Sequence, residues 1–352
     1  MSSALQNSIN TDLDQSDMHG AITAFPDQLR ESFKIMESWT PLKEYSGIQK
    51  IMILGMGGSA IGGDLAKVIA QYHCLVPIIV NRSYTIPQWV DSNTLIFASS
   101  YSGDTEETLS TFSQCQERNC PILVFSTGGV LSQHAIDMDL DWISIPKGFQ
   151  PRAALGFSFT LMLLVLEYLG LIPPKVVEEI KNSITPLENL SSQLSQMENS
   201  SLTIAKDIYA TCPIIYGSEE MSWVAALRFR CQLAENAKML SFHHNIPEQN
   251  HNEIEGWNRN ANIMRQFSLI WLRDIDDYHR TQTRMDISSC LLESIPKCQL
   301  TISQSGANRV ERLLKLIHYT DWISYYAALL NKVDPTPVNR IQELKKRIAL
   351  NA

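Results

Sequence analysis

No block of Lys and Arg, no Cys-x-x-Cys pair and no long uninterrupted apolar run occurs in this 352-residue chain. Each absence excludes something. The formal charge is 29 − 37 = −8. An acidic chain without a basic patch argues against nucleic acid and anionic membrane as partners, so an anionic ligand must be held by local groups. The seven cysteines are scattered and odd in number. They read as reduced thiols of a cytoplasmic protein, not as a disulfide frame or a cysteine zinc site. The most apolar stretch, AALGFSFTLMLLVLEYLGLIPP, is interrupted by Ser158, Thr160 and Glu167. It reads as a buried helix and not as a membrane span. The first 20 or so residues carry no basic residue and no apolar core. They read as a frayed start, not a signal peptide.

What is present is a repeated strand–helix pattern. Short apolar strands (KIMILG, PIIVN, TLIFASS, PILVFST, DWISIP) alternate with helical stretches from about residue 45 to 147. Strands apolar on both faces belong to a parallel sheet covered by helices. Pro151 opens a helical block, and the pattern returns with PIIYGS, FSLIWLRD and CQLTIS. The expected architecture is α/β: two domains of one type by duplication, each a parallel sheet flanked by helices. They span 1–150 and 151–331, followed by a C-terminal tail helix over 332–352.

Two loops carry the first chemistry. GMGGSAIGGD lies where a strand passes into a helix, and its glycines let the backbone approach an anion. It fits a dinucleotide fingerprint ending in Ala60, but the second strand ends IIVNRS and supplies no acid for a ribose. SSYSGDTEETL follows the strand TLIFA and presents Ser100, Ser102 and Thr105. Two hydroxyl-rich turns at one sheet edge, with no Lys or Arg and no Gly-Lys-Ser/Thr, suit a single terminal phosphate. Each loop also reads, by itself, as a tight turn with a Ser/Thr helix cap.

The stretch from Glu235 to Trp257, ENAKMLSFHHNIPEQNHNEIEGW, holds four glutamates, three histidines and four asparagines. Glu235 is a general-base candidate that Leu233, Ala234 and Ala237 would partly desolvate, or else the partner of Lys238 in an i,i+3 ion pair. His251 is a proton-handling imidazole or a turn cap, and turn caps are the reading for His243 and His244. A metal site of the three histidines with Glu248 fits no compact ligand motif.

GMGGSAIGGD and SYSGDTEETL resemble the sugar isomerase (SIS) domain. With ENAK…NHNE and DPTP…LK in the same order, the chain resembles the bifunctional phosphoglucose/phosphomannose isomerases over about residues 45 to 350. Asp104 departs from that pattern, which has asparagine there. The resemblance implies two SIS domains and a homodimer. It also implies isomerisation of glucose 6-phosphate and mannose 6-phosphate to fructose 6-phosphate through a cis-enediol, with no cofactor and no metal. It makes Glu235 the base, His251 the ring-opening group and Arg152 the partner of the enediolate oxygens. Lys345 assists at the ring hydroxyls, and Thr336 is the candidate for accepting both epimers. The phosphate falls to Gly57, Gly58, Ser59, Ser100, Ser102 and Thr105. By themselves, Arg152 also reads as a surface arginine at a helix start and Lys345 as an exposed helix lysine. The rivals are a sugar-phosphate-sensing protein on the same fold, a nicotinamide enzyme, and an isomerase of an amino sugar or pentose phosphate.

Overall fold

A computed structural model describes residues 9–350. After a 3-10 turn at Thr11–Leu13 comes a first helix, α1 (Met18–Thr23). The expected fraying covers residues 1–8, which lie outside the described residues. Beyond them the expectation fails, because α1 is anchored. The Asp14 carboxylate accepts from the backbone N–H of Met18 at 2.7 Å and of His19 at 2.8 Å. Met18 and Ile22 are buried, and the His19 ring lies edge-on to Trp322 at 5.0 Å. An N-terminal cap plus apolar burial outweighs the ordering entropy of a polar leader.

Contacts divide the chain into two compact units, Ala24–Glu188 and the residues up to Thr23 with those from Asn189 onward. The first unit opens with α2 (Phe25–Ser38) and continues β1 (Lys50–Leu54), α3 (Gly57–Ala70), β2 (Ile78–Asn81) and β3 (Thr94–Ser99). It goes on through α4 (Glu106–Glu117), β4 (Ile122–Ser126), α5 (Gly129–Asp137), β5 (Asp141–Ser144) and α6 (Leu155–Tyr168). Its strands form a parallel sheet in the order β2-β1-β3-β4-β5. β3 and β4 are buried throughout, as strands covered on both faces require. The domain line expected at 150/151 falls inside this unit, because α6 packs against α2 and α3. That helix is buried from Leu155 to Leu166 and needs apolar neighbours all round.

The helix α7 (Pro174–Leu194) leads into the second unit. There follow α8 (Ser200–Asp207), β6 (Cys212–Ser218), α9 (Trp223–Glu235), β7 (Phe242–Ile246), and two single turns, α10 (Glu253–Gly256) and α11 (Ala261–Met264). The unit ends with β8 (Phe267–Leu272), α12 (His279–Leu291), β9 (Cys298–Ile302), α13 (Arg309–Leu330) and the tail helix α14 (Asn339–Ala349). The sheet order is β7-β6-β8-β9, again all parallel. β7 takes the place in this sheet that β2 takes in the first. Its sequence, FHHNI, is too polar to read as a strand, and an edge position tolerates that polarity. Among the described residues no helix is long and apolar enough to cross a membrane.

Candidate active site

In the first unit the chain leaves β1 and β3 for helices on neighbouring strands, where the strand order reverses. Such a switch point forms a crevice at the carboxyl edge of the sheet. Gly57 sits there at φ +49°. A Cβ at Gly58 would lie 2.5 Å from the Pro151 carbonyl oxygen and 3.1 Å from Arg152 Cα. Glycine therefore lets the turn Pro151–Ala153 press against the first loop, and Arg152 is buried there instead of lying on the surface.

Hydrogen bonds join the two loops. The buried Ser59 hydroxyl accepts from the Tyr101 N–H at 3.2 Å. The Ser100 and Thr105 hydroxyls are 2.8 Å apart, and Ser100 Oγ accepts from the Gly103 N–H at 3.1 Å. Ser102 is exposed and its Oγ accepts from the Asp104 N–H at 3.2 Å. Neither α3 nor α4 has a side-chain cap: Met56 cannot provide one and Thr105 does not. The simple capping alternative thus fails at both helices. Uncapped helix N-termini beside hydroxyls are the kind of place where proteins hold anions, and these two loops carry no Lys or Arg of their own. The Asp104 carboxylate is turned to another helix, where its Oδ1 accepts from the Val130 N–H in the first turn of α5 at 2.9 Å. A helix N-terminus is a favourable seat for that charge.

Glu235 is the last residue of α9 and is half-buried. It lines a cleft of about 770 Å³ with Met239, Val333, Pro337 and Arg340. A polar ladder holds this end of the helix. Arg228, Gln232 and Asn236, spaced by four on one face, are all buried. Arg228 Nε and Gln232 Nε2 donate to Asp321 at 3.0 and 3.1 Å, and Asn236 Nδ2 donates to Ser324 Oγ at 3.0 Å. Lys238 Nζ donates to the backbone carbonyl oxygens of Glu235 at 2.5 Å and Pro335 at 3.3 Å. That lysine ties the helix end to the tail, where Thr336 is buried and its N–H donates to Asp334 Oδ1 at 2.9 Å. Glu235 and the segment of Thr336 therefore share one neighbourhood. Lys345 lies on the exposed α14. Arg340 lines the cleft and was not singled out from sequence. Its only signal was its place just after the DPTP turn.

His251 ends a short turn, Glu248–His251, after β7, and is exposed. Glu235 precedes β7, whereas His251 follows it. A parallel sheet puts them toward opposite edges, separated by the five residues of β7, about 16 Å at a strand's rise. Within the chain the length of β7 therefore lies between the two. His243 and His244 do not cap a turn; both lie on β7. Burial, followed by the charges of Arg230 and His244, pushes the His243 imidazole down to about 4. Among the described residues no three His, Cys, Asp or Glu side chains gather as metal ligands.

Residues 197–348 match the family described as the bacterial phospho-glucose isomerase C-terminal SIS domain. The chain is 37% identical over 336 residues to a bifunctional phosphoglucose/phosphomannose isomerase of Caldicellulosiruptor bescii, covering 94% of this chain and 99% of the relative. It is 32% identical over 332 residues to the protein of the same name from Aquifex aeolicus, covering 92% and 100%. Its fold is similar to the C-terminal domain of glucosamine-fructose-6-phosphate aminotransferase from Francisella tularensis. The TM-score is 0.68 at 14% identity, over 90% of this chain and 97% of that one.

Proposed function

The chain belongs to the bifunctional phosphoglucose/phosphomannose isomerase family, and from that premise we propose that it is an aldose–ketose isomerase acting on glucose 6-phosphate, mannose 6-phosphate and fructose 6-phosphate. The substrate is a small sugar phosphate. The observation that carries the reading is the pair of helix N-termini without side-chain caps behind the hydroxyls of Ser59, Ser100, Ser102 and Thr105. Gly57 and Gly58 complete that cradle by letting the backbone approach the phosphate.

In this reading His251 moves the anomeric proton and opens the ring. Glu235 then takes the hydrogen from C2 of the aldose and returns it to C1, leaving a cis-enediol between the two steps. Arg152 offsets the charge on the enediolate oxygens, and Lys345 assists at the ring hydroxyls. Thr336 contacts the part of the substrate where the two aldoses differ. A proton moves and no electron leaves the sugar, so the scheme calls for no cofactor.

The reading includes a homodimer in the cytoplasm. Glu235 and His251 toward opposite edges of one sheet support a site in which His251 comes from a second copy. Ile341, Leu344 and Ile348 on one face of α14 are all exposed, which supports a covering partner. Seven free cysteines favour a reducing compartment.

The test is incubation with fructose 6-phosphate, followed by NMR of the products. Formation of both glucose 6-phosphate and mannose 6-phosphate is expected. Turnover of only an amino sugar or pentose phosphate, or binding without turnover, would overturn the assignment.

A further inference from the structure

The stretch around His251 holds a hydrogen-bonded cluster that the scheme above leaves unused. Tyr216, on β6, is fully buried, and its hydroxyl donates to Glu253 Oε1 at 2.5 Å. The Trp257 indole N–H donates to the same tyrosine oxygen at 3.1 Å. His244 Nδ1, on β7, lies 2.8 Å from Glu253 Oε2. Both oxygens of one carboxylate are thus used to clip the segment after β7 onto two neighbouring strands. Burial and the adjacent Glu253 charge push the Tyr216 phenol up, which keeps it a donor. A second tie closes the other side. Asn252 accepts from the Glu253 N–H at 2.6 Å and donates to Glu248 at 2.8 Å. His251 lies between these two ties, itself exposed.

We propose that Glu253 is a positioning residue that holds the His251 turn at a fixed place and angle through Tyr216 and His244. The proposal rests on the reading of His251 as the ring-opening group. An exposed imidazole on a short turn has no packing of its own to hold it. A misplacement of about 1 Å costs up to about 100-fold in rate, so the turn needs a stiff anchor. A carboxylate with two directional partners on adjacent strands supplies one. A merely structural staple would use the same bonds, so the test must separate the two.

The measurement compares two substrates. One is fructose 6-phosphate, which must open before it reacts. The other is 5-deoxy-fructose 6-phosphate, which lacks the hydroxyl that closes the furanose and is always open. Glu253→Gln should lower kcat on the first about 10- to 100-fold with KM little changed, and leave turnover of the second at the parent rate. In a His251→Ala background, Glu253→Gln should cause no further loss, because it acts only through His251. Equal loss on both substrates, or loss that adds to His251→Ala, would overturn the proposal in favour of a structural staple. Parent activity of Glu253→Gln on the ring-closed sugar, with His251→Ala slow, would overturn it alone. Parent activity of His251→Ala would overturn the reading beneath it as well. If Glu253→Gln does not fold, Tyr216→Phe deletes a single hydroxyl from the same tie and carries the same two-substrate comparison.

Discussion

Gly103→Ala is the sharpest perturbation of the proposed anion cradle. Gly103 stands at φ +80°, where an L-residue costs about 1–2 kcal/mol. The added Cβ would also lie 1.8 Å from the Gly128 carbonyl oxygen and 2.9 Å from Gly129 Cα. Both neighbours are backbone, so no side chain can rotate away, and the loop itself must move by more than an ångström. That loop aims Ser100, Ser102 and Thr105. Loss of one hydroxyl bond to a charged phosphate costs about 1.5–3 kcal/mol, or roughly 10- to 150-fold in affinity. Gly47→Ala is the control: φ is +68°, so the backbone strain is similar, but nothing lies within 4 Å of the new Cβ. Calorimetric titration with 6-phosphogluconate, alongside thermal melts, reads both terms. Gly103→Ala should lose affinity at least tenfold and melt lower, whereas Gly47→Ala should lose only a little stability. A folded Gly103→Ala protein that binds 6-phosphogluconate as tightly as the parent would refute this account of the cradle.

Dialysis against EDTA should leave the isomerase activity intact, because a carboxylate base and an enediol need no metal; loss restored by zinc would reassign the histidines. His318 is buried and held down to about 3, first by desolvation and then by the Arg228 charge, while its unfolded value is near 6.5. The unfolded chain therefore binds the extra proton between those values. Stability should fall by about 1.4 kcal/mol per pH unit on acidification below 6.5, and His318→Gln should flatten the slope of denaturation against pH by one proton. Mixing Glu235→Gln chains with His251→Ala chains should restore activity as mixed dimers form, and no recovery after verified exchange would mean that one chain builds the whole site.

The two loops proposed to hold the phosphate were legible because they are local. Glycines and hydroxyls in two strand-to-helix turns carry their meaning in a few residues each, and Ser59, Ser100, Ser102 and Thr105 fall on one crevice of one unit. The capping alternative could not be dismissed from sequence, since a Thr at an N-cap position looks the same whether its hydroxyl turns to the helix or, as here, to Ser100. The sixteen residues between Glu235 and His251 do not say in the sequence whether one chain brings them together, and β7 runs between them. That edge strand was invisible because FHHNI lacks an apolar alternation. Other misses are tertiary in origin. The helix α6 reads as the start of a second domain, yet its all-round apolar surface is satisfied by α2 and α3. The leader reads as polar, yet Asp14 caps a helix whose apolar side is buried.

The central claim is that Glu235 moves the hydrogen between C1 and C2. Glu235→Gln keeps the shape of the side chain but cannot accept a proton. The direct measurement is deuterium incorporation at C1 of fructose 6-phosphate in deuterated water, with turnover followed in parallel. Both should fall by about 10²–10⁴, while binding of 6-phosphogluconate stays near the parent value. Exchange at close to the parent rate in a folded Glu235→Gln protein would contradict the account, and would move the search for the base to Glu248, Glu253 and Glu255.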